Sequence, residues 1–110
     1  MGHDAIETRQ LFIPDAAVRD RESVEMLRVW IAEQGLHCSL KVGMYQETKD
    51  VSETKAWGII LADAAKHIAN ALQSAYSIDR TASLKAIRDS FVEELASPTS
   101  EAKGGFAQKH

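Results

Sequence analysis

The sequence predicts an α+β fold, a small antiparallel sheet of two to four strands covered on one face by three helices. Two observations carry that expectation. Residues 36 to 45 alternate apolar and polar side chains, the two-residue period of a strand. Residues 50 to 76 and 80 to 96 repeat their apolar residues near the 3.6-residue period of a helix. Together they fit one domain over residues 7–97, followed by a tail.

The elements follow in chain order. Residues 1 to 6 read as a frayed terminus. Gln10-Leu11-Phe12-Ile13 is a short apolar run stopped by Pro14, which cannot donate to a ladder, so an edge strand is expected there. Residues 14 to 20 read as a connector. From Arg21 to Gln34, Val24, Leu27, Trp30 and Ile31 recur at helical spacing, with Asp20 placed to cap the free amides and Gly35 suited to the left-handed residue beyond the end. In the strand from Leu36 to Tyr45, Leu36, Cys38, Leu40, Val42 and Met44 share one face. That makes Cys38 a packing residue, not an exposed nucleophile.

A polar loop, Gln46 to Lys49, leads to Asp50 and Glu53, spaced as a reciprocal cap. The helix they open runs to Tyr76. It carries a broad stripe of Trp57, Ile60, Leu61, Ala64, Ile68, Leu72 and Ala75, and a second of Gly58, Ala62, Ala65 and Ala69, small enough for another backbone to approach. Ser77-Ile78-Asp79 breaks the pattern and caps a last helix, Arg80 to Ala96, with Leu84, Ile87, Phe91 and Leu95 on its stripe. Pro98 follows its end. The small, polar residues 98–110 are expected to be a disordered C-terminal tail.

Composition narrows the function classes. Thirteen basic residues against 16 acidic ones leave a net charge of −3, and the basic residues alternate with acids, as in Arg19-Asp20-Arg21-Glu22. Nucleic-acid binding rests on clustered cations, so no nucleic-acid partner is expected. The single cysteine excludes an internal disulfide and multi-cysteine zinc patterns, and suits a reducing compartment. No basic start followed by an apolar stretch opens the chain, and no apolar run approaches the ~20 residues of a membrane span. A cytoplasmic protein with no membrane contact is the expectation.

The candidate site residues are polar groups on two elements. His37, Ser39, Lys41 and Tyr45 share the polar face of the strand, as a ligand-binding surface could. Asp63, His67, Asn70 and Ser74 share one helix face, where Asp63 could fix the His67 tautomer and leave a nitrogen free as a base or ligand. If His37 faced that pair, a divalent metal could bind. The plainer readings are a solvated sheet face and an ordinary helical side-chain row, and no metal or cofactor is expected. Ser39 lacks a glycine-flanked elbow, and Gly104-Gly105 is no phosphate loop. Trp30 and Trp57 stand at packing positions.

Leu27-Arg28-Val29-Trp30, Gly35-Leu36-His37-Cys38-Ser39-Leu40, Ala56-Trp57-Gly58-Ile59-Ile60-Leu61-Ala62-Asp63 and Glu94-Leu95-Ala96-Ser97-Pro98-Thr99 resemble an uncharacterised family of small alphaproteobacterial proteins, domain of unknown function family 5076. The resemblance spans roughly residues 10 to 100. It implies a bacterial cytoplasmic protein of one domain and brings no activity, cofactor or catalytic residues. Apolar residues off the main stripes (Met26, Val29, Ile59) and the Ala/Gly face point to a homodimer. The expectation is a non-enzymatic homodimeric interaction or accessory protein. The alternative is a small-molecule binder or enzyme using His37, Lys41 and Tyr45 with Asp63 and His67.

Overall fold

A computed structural model of the chain describes residues 9–45, 51–99 and, as backbone, 102–108. The order of elements is α1 (Asp15–Arg19), β1 (Leu27–Ala32), β2 (Gly35–Val42), α2 (Glu53–Tyr76), α3 (Arg80–Ala96) and β3 (Ala102–Gln108). The class is α+β, as the sequence predicts. The sheet runs β1-β2-β3, with β1 antiparallel and β3 parallel to β2.

The segment expected to be a helix from Arg21 to Gln34 is instead a loop followed by β1. Leu27, Val29 and Ile31 alternate with Arg28, Trp30 and Ala32, a pattern that fits a strand as well as a helix. The β-branched and aromatic residues suit a pleated surface. A two-residue turn lays the run beside β2, pairing Ala32 with Gly35 and Leu27 with Leu40, and this ladder overrides a weak helical period. The left-handed positions are Glu33 (φ 50°) and Gln34 (φ 62°), not Gly35. Positive φ at both central residues is the signature of a type I′ hairpin turn.

The run 10 to 13 forms no strand, and the connector contains α1, which starts directly after Pro14. β2 stops at Val42, three residues short of the expected end, because Gly43 turns the chain with a φ of 97° that only glycine adopts freely. At the start of α2 the cap is Ser52, whose Oγ accepts the Lys55 amide at 3.3 Å, in place of the expected Asp50. Asp50, the loop before it and residues 1 to 6 lie outside the described residues. Residues 102–108, inside the stretch that composition marks as a disordered tail, run as β3 with Gly104 and Gly105 in register with Cys38 and Ser39. A backbone ladder needs no apolar period, so composition carries no sign of it.

α3 takes the predicted span, and α2 ends at Tyr76 as predicted but starts at Glu53, later than the expected Asp50 cap implies. Asp79 caps α3 by accepting the Ala82 amide at 2.9 Å, and Ser77 ends α2 in the left-handed conformation, φ 59°. The two helices form an antiparallel hairpin tied by Arg80 Nε donating to Asn70 Oδ1. They pack on each other, and neither packs extensively on the sheet. Ala69, fully buried, and Ser83, 6% exposed, mark the contact. The small-residue stripe of α2 is thus filled within the chain at Ala69, whereas a Cβ on Gly58 would meet nothing within 4 Å. Among the described residues, Ala56 and Ala69 are the only buried apolar ones.

Candidate functional site

The junction of sheet and helical hairpin is built on one carboxylate. After Gly43 turns the chain, the amides of Gly43 and Tyr45 both point at the first residue of α2. Glu53 Oε2 accepts Gly43 N–H at 3.1 Å and Oε1 accepts Tyr45 N–H at 2.9 Å. Trp57, one turn along the helix, donates its indole N–H to Oε2 at 2.9 Å. Half-burial pushes the Glu53 pKa up, but the Tyr45 and Gly43 amides and the Trp57 indole together outweigh it and hold it below 4.5. This latch fixes where α2 leaves the sheet.

The sheet has two unlike faces. Opposed residues of an antiparallel pair share a face, so Leu27, Val29 and Ile31 lie with Leu40, Cys38 and Leu36. Every one of them is apolar. The other face carries Arg28 and Trp30 opposite Ser39 and His37. The apolar face is poorly covered: Ile31 is 82% exposed, Val29 51% and Leu36 39%. Cys38 is a half-buried free thiol on that face.

The predicted polar residues divide among three places. His37 and Lys41 are half-buried and Ser39 exposed, all on β2, and the Lys41 amide donates to the Met26 carbonyl at 3.0 Å. Tyr45 lies past the end of the strand, where its amide serves the Glu53 latch. Asp63 and His67 are exposed on α2, and Asp63 Oδ1 lies 3.8 Å from Lys66 Nζ. Among the described residues no group of three or more His, Cys, Asp or Glu is placed to hold a metal ion. A groove of about 730 Å³ runs between residues 9–18 and β1, with Leu11, Phe12, Val18, Leu27 and Val29 in its lining. Neither His37 nor His67 lines it.

Two features are not legible in the sequence alone. The apolar face of β1 was visible as the alternation from Leu27 to Ala32, but a helical period fits the same residues. The Glu53 latch had a partial signal in Glu53 and Trp57 one turn apart, but its backbone donors belong to a turn whose shape the sequence does not specify.

These features define a small α+β protein in which a mixed sheet and a helical hairpin meet at one carboxylate and expose apolar surface. The chain belongs to the family described as domain of unknown function (DUF5076), which matches residues 10–99. Among solved structures the chain is similar to "Structure of a putative pyruvate dehydrogenase from the photosynthetic bacterium Rhodopseudomonas palustrus CGA009". The identity is 23% and the TM-score 0.61, over 86% of this chain and 91% of that one. At that identity the likeness is one of fold. No curated protein matches the chain. Among the described residues no helix is long and apolar enough to cross a membrane.

Proposed function

We propose that this protein is a bacterial, cytoplasmic, non-enzymatic homodimer with an interaction or accessory role. The observation that supports it is the uncovered apolar surface. On the described residues it includes Leu11, Phe12, Ile31 and Leu95, each 70% exposed or more. Exposed apolar patches mark association surfaces.

The alternative, a ligand-binding protein or enzyme using His37, Lys41, Tyr45, Asp63 and His67, calls for a pocket in which the two imidazoles converge. The groove beside β1 is lined by neither. The pyruvate dehydrogenase name of the structural neighbour lends no activity at 23% identity.

Mass measurement by light scattering at micromolar concentration tests the reading. The expected value is twice the 12.1 kDa of the chain, and a monomer mass overturns the proposal.

A further inference from the structure

We propose that the Glu53 latch is the catch of a hinge between the sheet and the helical hairpin. With the Glu53 carboxylate charged, the α2–α3 hairpin is held in one orientation to the sheet. With the carboxyl neutral, the hairpin swings as a body about the turn at Gly43.

Past the first two turns of α2 the hairpin rests only on itself. From Leu61 to Tyr76 the residues that are not exposed are Ala65, Ala69 and Leu72, four and three apart on one helix face. That face is the one α3 covers, since Ala69 lies in the contact between the helices. On α3, Ser83, Leu84 and Ile87 are its less exposed counterparts. The pair is also tied at its turn, by the Asp79 cap and by Arg80 donating to Asn70. Neither helix packs extensively on the sheet. The hairpin is therefore a body of its own, and the latch governs how it sits.

The catch is made of donors alone. The N–H groups of Gly43, Tyr45 and Trp57 converge on the two oxygens of Glu53. A carboxylate accepts all three in charge-assisted bonds. Protonation turns one oxygen into a donor, which then faces N–H groups that cannot accept its proton. Gly43, at φ 97°, supplies the backbone freedom on which the swing turns. The titratable side chains nearest in sequence are Lys41 and Tyr45 on the β2 side and Lys55 on α2. Among the described residues Glu53 forms no ion pair with either lysine, so its own charge sets the catch. Half-burial raises its pKa, yet the three donors hold it below 4.5. The closed form thus prevails at neutral pH and is lost as pH falls through the folded value.

The test is electron–electron resonance between spin labels on the full chain, in a Cys38→Ser background and in excess unlabelled protein so that only pairs within one chain are read. Ser39→Cys with Gln73→Cys spans sheet and hairpin, and Gln73 lies about 30 Å along α2 from Glu53, where a small rotation gives a large displacement. His67→Cys with Glu93→Cys reports the hairpin alone. The expected result is a narrow sheet-to-hairpin distance at pH 7 that broadens below pH 4.5, while the hairpin distance stays narrow. Glu53→Gln should be broad at pH 7 already and insensitive to pH. Trp57→Phe removes one donor and should move the broadening to higher pH. A sheet-to-hairpin distance that stays narrow in acid overturns the proposal, as does Glu53→Gln as narrow as wild type at pH 7. If the hairpin distance broadens in acid as well, the acid has unfolded it, and Glu53→Gln at pH 7 decides alone. A Glu53→Gln protein in which both distances broaden overturns the proposal, because the carboxylate then holds the fold and not the orientation.

Discussion

Glu53 is the residue on which the sheet–helix junction turns. Its carboxylate holds two backbone amides and an indole, and its pKa lies below 4.5 in the folded chain. A depressed carboxylate pKa stabilises the fold above the unfolded value, and that stabilisation disappears as pH falls through the folded value. Thermal unfolding of wild type and Glu53→Gln, followed by circular dichroism from pH 7 to pH 3, should show wild type more stable at neutral pH. The gap should close below about pH 4.5; a gap independent of pH would count against the latch. Ser83 is the opposite case. Its hydroxyl is buried between the helices with no hydrogen-bond partner, and leaving such a group unpaired costs about 1–3 kcal/mol. Ser83→Ala removes the group and gains helix propensity. It should stabilise the protein by about 1 kcal/mol, a rise in Tm of several degrees, measurable by calorimetry.

At the scale of elements, the β1–β2 hairpin folds in spite of its turn. Type I′ turns favour Asn-Gly because both central residues take positive φ, and here they are Glu33 and Gln34. The left-handed conformation costs an ordinary residue roughly 1–2 kcal/mol. The cross-strand pairs, Val29 with Cys38 and Ile31 with Leu36 among them, must outweigh that cost. Gln34→Gly should therefore stabilise the protein by about 1 kcal/mol, read as a higher urea midpoint at unchanged m-value. A lower midpoint would mean that the Gln34 side chain contributes more than its backbone costs. The helical hairpin shows how packing sorts the two stripes of α2. Ala69 of the small-residue row meets α3 at close range, leaving Leu61 and Ile68 38% and 50% exposed.

On the scale of the whole molecule, two buried apolar residues among those described, Ala56 and Ala69, are too small a core to hold 110 residues against the conformational entropy of ordering them. In the homodimer reading, association supplies the missing burial, so folding and dimerisation are linked by mass action. Tm should then rise with protein concentration. Scanning fluorimetry over a hundredfold dilution series checks this, and a concentration-independent Tm would mean that the chain is stable alone.

Local signals in the sequence were enough for the α+β class, the end of α2, the span of α3, the Asp79 cap and the alternation of β2 from Leu36 to Val42. Each depends on neighbours a few residues apart: a period, a capping side chain, a proline after the end. Of the candidate site, the sequence placed His37, Ser39 and Lys41 together on β2, because alternate residues of a strand share a face. Tyr45 left that face when Gly43 turned the chain, and Asp63 found Lys66 beside it on the helix. The tertiary structure made β1 a strand, since Leu27 to Ala32 satisfies both periods and only pairing with β2 selects one. It also brought 102–108 alongside β2 and aimed the Gly43 and Tyr45 amides at Glu53. Those outcomes depend on contacts between distant segments, whose free energies do not exist until the segments meet.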